Sequence, residues 1–133
     1  MPRPRLILAA LLLLSAAVAG CDSGPKVVRV SGTATREGKP VAGLLINFEP
    51  EKGRSSWGIS DDAGRFTMEY DAEQKGVVAG RHTVSAVFRA DELAGTKPTP
   101  ATRAIQAKYG DLTKSPMKIE VTAATEALEL KFD

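Results

Sequence analysis

Histidine, cysteine and asparagine each occur once in this 133-residue chain, as His82, Cys21 and Asn47. With one histidine, a Ser/His or Cys/His nucleophilic pair would have to use His82. That residue falls at an inward-phase strand position, so it reads as a core or rim histidine. A zinc site needs three or four His, Cys or carboxylate ligands, and the usual set is missing. A single cysteine cannot form a disulfide within the chain, so stability must come from the hydrophobic core. Aromatic residues make up only 5% of the chain, so the core needs most of them. Trp57, Tyr70 and Tyr109 are the rings that could serve as a stacking platform for a sugar or peptide.

The start of the chain is distinctive. Arg3 and Arg5 precede an uncharged apolar run, Leu6 to Ala19, which ends in Val18-Ala19-Gly20-Cys21. A basic n-region, an apolar h-region and small residues before a cleavage point form a secretory signal. The run spans 14 residues, short of the ~20 that a membrane span requires. The tetrapeptide resembles the lipobox of bacterial lipoproteins, which implies cleavage between Gly20 and Cys21 and acylation of the Cys21 thiol. The expected division is a signal peptide over 1–20, a tether over 21–26 and a domain over 27–133. The expected location is the cell envelope, facing outside the cytoplasm and held to membrane lipid through Cys21.

Loss of residues 1–20 removes two arginines. The chain's eighteen Lys and Arg fall to sixteen, equal to its sixteen Asp and Glu. A nucleic-acid binder concentrates basic residues on one face to neutralise phosphates. Here the signs alternate along the chain, as on a solvated surface, so no nucleic-acid partner is expected. About 110 residues suffice for one domain and are too few for two.

From Val27 onward the pattern is strand, turn, strand. Val28, Val30, Gly32 and Ala34 alternate with polar residues, the period of a half-buried strand. Leu44, Ile46 and Phe48 repeat that spacing. So do Phe66, Met68 and Tyr70, then His82, Val84, Ala86 and Phe88. Met117, Ile119 and Val121, and finally Leu128, Leu130 and Phe132, complete the inward sets. Trp57 to Ser60 is a further short strand, whose length leaves the face of Trp57 open. Glu37 to Pro40 and Asp61 to Gly64 carry turn chemistry. Paired carboxylates at Asp61 and Asp62 suit a turn better than calcium, for which an Asp-x-Asp-x-Asp spacing is missing. Seven alternating strands argue for an all-β, two-sheet sandwich, with Phe66, Val84 and Ile119 as central core positions.

The segment from Arg89 to Lys114 departs from this pattern, being longer than the roughly 12 to 15 residues usual for a connection. Pro98 and Pro100 suggest extended chain over 96–101, and Thr102 to Lys108 a helical turn or two. Asp91 to Thr102 is expected to be exposed and quick to exchange. Ile105 and Tyr109, four apart, are expected to dock the second half onto the sandwich.

Three segments resemble carboxypeptidase regulatory-like domains. They are Val30-Ser31-Gly32-Thr33-Ala34-Thr35 with Gly38-Lys39-Pro40-Val41-Ala42-Gly43, then Ser60-Asp61-Asp62-Ala63-Gly64-Arg65-Phe66, then Gly80-Arg81-His82-Thr83-Val84. Leu44 stands where the family usually has Ala, and His82 in its aromatic slot. Ile105 to Asp111 with Ser115-Pro116-Met117 is similar to an element of short planctomycete lipoproteins. The resemblance implies a prealbumin-like (transthyretin-like) sandwich and an accessory module without catalytic residues or cofactors. The tail Leu130-Lys131-Phe132-Asp133 lacks the Tyr-Arg-Gly-Ser ending of the 5-hydroxyisourate hydrolases of this fold. Asn47 lies in the second strand, so the Lys–Asn isopeptide bond of related surface proteins, which needs an asparagine in the last strand, is not expected.

The functional expectation is a non-catalytic interaction or structural module, with envelope proteins or polysaccharide as partners. The alternative is a carbohydrate- or peptide-binding module that uses the 89–114 end of the sandwich, with Trp57 or Tyr109 as ligand contact. An enzyme would require an exposed His82 beside a carboxylate and a Ser or Thr.

Overall fold

The computed structural model describes residues 24–89 and 97–133. Gly20 and Cys21, the expected cleavage and lipidation residues, lie outside them, as does the stretch 90–96. The described residues are mostly β. The strands are β1 (Val27–Val28), β2 (Val30–Arg36), β3 (Lys39–Pro40), β4 (Leu44–Pro50), β5 (Ser56–Ile59), β6 (Arg65–Thr67), β7 (Val77–Val78), β8 (Gly80–Phe88), β9 (Lys118–Val121) and β10 (Thr125–Lys131). One helix, α1 (Pro100–Tyr109), lies between β8 and β9. Seven strands were expected and ten form among the described residues. The three additions, β1, β3 and β7, have two residues each.

Two four-stranded sheets carry the fold, in the orders β5-β4-β8-β9 and β10-β2-β3, with β6 also on β2; β1 and β7 form a small ribbon. The last long strand, β10, runs parallel to the first, β2. The period-two faces meet between the sheets. Leu44, Ile46 and Phe48 of β4 and Val84 and Ala86 of β8 are fully buried, as are Val30 and Ala34 of β2, Phe66, Leu130 and Phe132. They belong to one continuous apolar cluster. Burying apolar area of this kind, at about 25 cal/mol per Å², is the main force holding a domain without disulfides.

Several local expectations are corrected. The first strand breaks at Arg29, so Val27–Val28 joins β7 while Val30 onward joins β10 and β6. Strand β6 stops at Thr67, and Glu69 instead makes isolated bridges to Trp57 and Lys75. Ile119 is half-buried rather than central, because β9 is a sheet edge that pairs, among the described residues, with β8 alone. Pro100 is not extended chain: it is the first residue of α1, where its missing N–H has no intrahelical role. Thr99 caps the helix. Its hydroxyl accepts from the Thr102 N–H at 3.2 Å, and the Thr102 hydroxyl accepts from the Thr99 N–H at 2.8 Å. Of residues 99–102, expected to be exposed and quick to exchange, Thr99 and Pro100 are exposed, but they start a capped helix and Thr102 is buried.

Gly64 closes the Asp61 turn with φ of 74°. Asp61 Oδ1 accepts from the N–H groups of Ala63 and Arg65, both at 2.9 Å. A β-carbon on Gly64 would lie 2.6 Å from the Ala34 carbonyl oxygen and 3.0 Å from Pro40 Cβ. Gly64→Val should therefore cost at least about 2 kcal/mol, from left-handed backbone and overlap together. Ala63→Val, on an exposed neighbour, should stay within about 0.5 kcal/mol. Urea midpoints compare the two, and equal midpoints would refute this account of the turn.

Candidate functional site

The hairpin of β5 and β6 straddles the two sheets. On one side β5 pairs with β4, Trp57 opposite Asn47 and Ile59 opposite Leu45. On the other side the Trp57 and Glu69 main chains exchange hydrogen bonds of 3.0 and 2.7 Å, and the Asp61 N–H donates to the Arg65 carbonyl at 2.8 Å. One antiparallel register satisfies both contacts and sets Ile59 against Thr67 between them. Side chains of paired residues share a face. The outer face of the hairpin therefore presents Trp57 beside Glu69, Ile59 beside Thr67, and Asp61 beside Arg65. These six side chains, with Gly58 and Phe66, line an open hollow of about 490 Å³.

Small inward residues make this arrangement possible. Ser56, Gly58 and Ser60 take the buried side of β5. A β-carbon on Gly58 would approach the Thr67 carbonyl oxygen to 2.7 Å, so glycine lets β6 close against β5. Ser60 is buried and its hydroxyl accepts the Leu44 N–H at 3.0 Å. With those three inward, Trp57 must point outward. It is 45% exposed, the large apolar side chain among the described residues that stands in solvent. Around it, Asp61 uses only Oδ1 in the turn. Arg65 makes no ion pair among the described residues, and Glu69 lies 3.9 Å from Lys75.

The other two candidate rings are occupied. Tyr109 is 5% exposed and meets Phe132 edge-on at 5.1 Å, and its hydroxyl donates to the Asp133 carbonyl at 2.9 Å. It braces α1 and has no open face for a ligand. Tyr70 is half-buried with the Arg54 guanidinium 5.7 Å above its ring.

His82 is 1% exposed. Its Nε2 donates to the Val78 carbonyl, its Nδ1 has no hydrogen-bond partner among the described residues, and its ring tilts against Phe48 at 5.6 Å. His82 is thus a core residue, not an exposed one beside a carboxylate and a hydroxyl. Among the described residues no three His, Cys, Asp or Glu side chains converge as metal ligands. No described helix is long and apolar enough to cross a membrane. The Asp111 carboxyl is held below its ordinary range, first by the Thr113 hydroxyl and then by the Thr113 N–H, at the turn that follows α1.

No protein-family model, curated protein or solved structure matches this chain. What the chain offers functionally rests on its own residues. At the 89–114 end, the half-buried Phe88 with Pro98, Thr102, Arg103, Gln106 and Ala107 borders an apolar hollow of about 440 Å³. The outer hairpin face combines an exposed indole with charged and hydroxyl groups, and no sequence motif announces it. The signal that could have located it is the run of small residues at 56, 58 and 60, which turns Trp57 outward.

Proposed function

We propose that this chain is an exported lipoprotein whose sandwich acts at a membrane surface by binding rather than by catalysis. The observation that carries the reading is the arginine-flanked apolar run that ends in Val18-Ala19-Gly20-Cys21. On this reading residues 1–20 are removed and Cys21 carries the lipid. Residues 22–26 can reach no more than about 18 Å, so the sandwich stands close to the bilayer. Kinship with carboxypeptidase regulatory-like domains, and a prealbumin-like topology, fit the places its motif residues occupy. Gly32 lies where β10 crowds β2, Asp61 and Gly64 form the hairpin turn, and Phe66 and His82 are core residues.

Exposure of Trp57 and burial of Tyr109 favour a ligand-binding module over a purely structural one. They also move the contact from the 89–114 end to the β5–β6 hairpin. Intact mass of protein extracted from the envelope tests the anchor. The expected product begins at an acylated Cys21, and Cys21→Ser should release the domain or stall its processing. An unprocessed Met1, or a soluble product with a free thiol, would remove the anchor from the account.

A further inference from the structure

We infer that the outer face of the β5–β6 hairpin is a binding subsite for a neutral saccharide, with Trp57 as the stacking surface. The inference rests on the binding reading above and names its ligand class. A pyranose ring with equatorial hydroxyls has an apolar C–H face and a polar rim. The hollow has the matching form: an exposed indole with Ile59 beside it, edged by Asp61, Arg65, Thr67 and Glu69. Carboxylate oxygens accept sugar hydroxyl protons, a guanidinium donates to hydroxyl oxygens, and the Thr67 hydroxyl does either. The volume of about 490 Å³ lies within the usual range for small-ligand sites.

Two observations set a saccharide above other occupants. An extended peptide would bind by adding a strand, which needs unpaired main chain at a sheet edge. Around Trp57 no such edge exists: β4 pairs with β5 on one side, and the Trp57 N–H and carbonyl are both engaged by Glu69 on the other. The hairpin offers side chains only. Its charge is the second observation. Asp61, Asp62 and Glu69 outnumber Arg65 and Lys75, which lies 3.9 Å from Glu69, on and beside this face, and the acidic balance opposes an anionic polymer or an anionic bilayer.

Trp57 is the chain's one tryptophan, so fluorescence excited selectively at tryptophan, beyond tyrosine absorption, reads this site alone. Full-length protein in detergent would be titrated with β-1,4-linked hexasaccharides of glucose and of N-acetylglucosamine. Polygalacturonate, an extended polar peptide and glycerophosphoserine, the soluble headgroup of an anionic phospholipid, complete the series. The expected result is a saturable change with at least one neutral hexasaccharide and none with the other three. By calorimetry, Arg65→Ala and Glu69→Gln should each weaken that binding roughly tenfold, with melting temperatures near the parent's. Arg103→Ala, on α1, should leave it unchanged.

The assignment fails if neither neutral hexasaccharide gives a saturable change up to on the order of 10 mM. It also fails if the peptide, the acidic polymer or the anionic headgroup is the probe that saturates, or if both hairpin variants bind as the parent does. A pull-down from the envelope separates this failure from that of the underlying reading. A partner retained by the parent and lost by Trp57→Ala, without saccharide binding, leaves a binding module with a different ligand. A chain that retains no partner and binds no saccharide fails both.

Discussion

Replacing Gly32 with alanine should destabilise the domain by about 3 kcal/mol or more, the upper end of what overpacking costs. Gly32 sits in β2 opposite Leu128 of β10. A β-carbon there would lie 1.8 Å from the Leu128 carbonyl oxygen, 2.7 Å from its carbonyl carbon and 3.0 Å from its Cα. All three atoms are main chain, so no side-chain rotation can relieve the overlap. Strand β10 must move, and with it the parallel ladder that joins the first long strand to the last. The register of β10 already shifts between Thr125 and Leu128, next to this contact. Domains of this size hold only about 5 to 15 kcal/mol in total, so Gly32→Ala should be marginal or unfolded near room temperature. Ser31→Ala, one residue away and half-buried, should lie within about 0.5 kcal/mol of the parent. Urea melts followed by circular dichroism measure both. A Gly32→Ala midpoint equal to the parent's would mean that β10 does not approach β2 this closely.

The same pair of strands shows how far the sequence could be read. Alternation places Val30 and Ala34 inward, and Leu130 and Phe132 likewise, and these side chains are buried. Alternation treats Gly32 as one more inward position, because a period says which face a residue takes and nothing about which strand lies beside it. Leu44, Ile46 and Phe48, and His82, Val84 and Ala86, were legible for the same reason: each set lies in a strand with neighbours on both sides. Ile119 shares their phase but belongs to the edge strand β9, which alternation cannot distinguish from a central one. Strand β7 escaped notice because Val77–Val78 sits between Gly76 and Gly80, too short a window for any period. The start of α1 was misread because Pro98 and Pro100 each disfavour helix in the residue before them. Thr99 resolves the conflict by serving as the cap, for which extended backbone is the normal state. The outer face of the hairpin was the least legible part. Trp57, Glu69, Thr67 and Arg65 come together through register between β5 and β6, and four residues of β5 do not fix a register.

Phe132→Ala should produce the second large loss, and it should free α1 before it unfolds the sheets. Phe132 is fully buried, and its ring meets Tyr109 of α1 edge-on at 5.1 Å. Its main chain is fixed as well: the N–H donates to the Thr35 carbonyl at 2.8 Å, and the carbonyl accepts from Arg36 Nη1 at 2.7 Å. The next carbonyl, of Asp133, accepts from Tyr109 and from Lys108 at 2.9 and 2.8 Å. The helix is thus clamped through one aromatic pair and two side-chain hydrogen bonds, with Ile105 buried at its centre. Truncating a buried Phe costs about 3 to 5 kcal/mol. A helix of ten residues is marginal without tertiary packing, so loss of the clamp should appear there first. Hydrogen exchange over residues 100–109 should accelerate more than exchange over β4, whose ladder partners are β5 and β8. Tyr109→Phe offers the graded comparison. It keeps the ring contact and loses one hydrogen bond, for about 1 kcal/mol. If Phe132→Ala leaves exchange over 100–109 level with the sheets, Ile105 holds the helix without the aromatic pair, and the clamp is not what docks it.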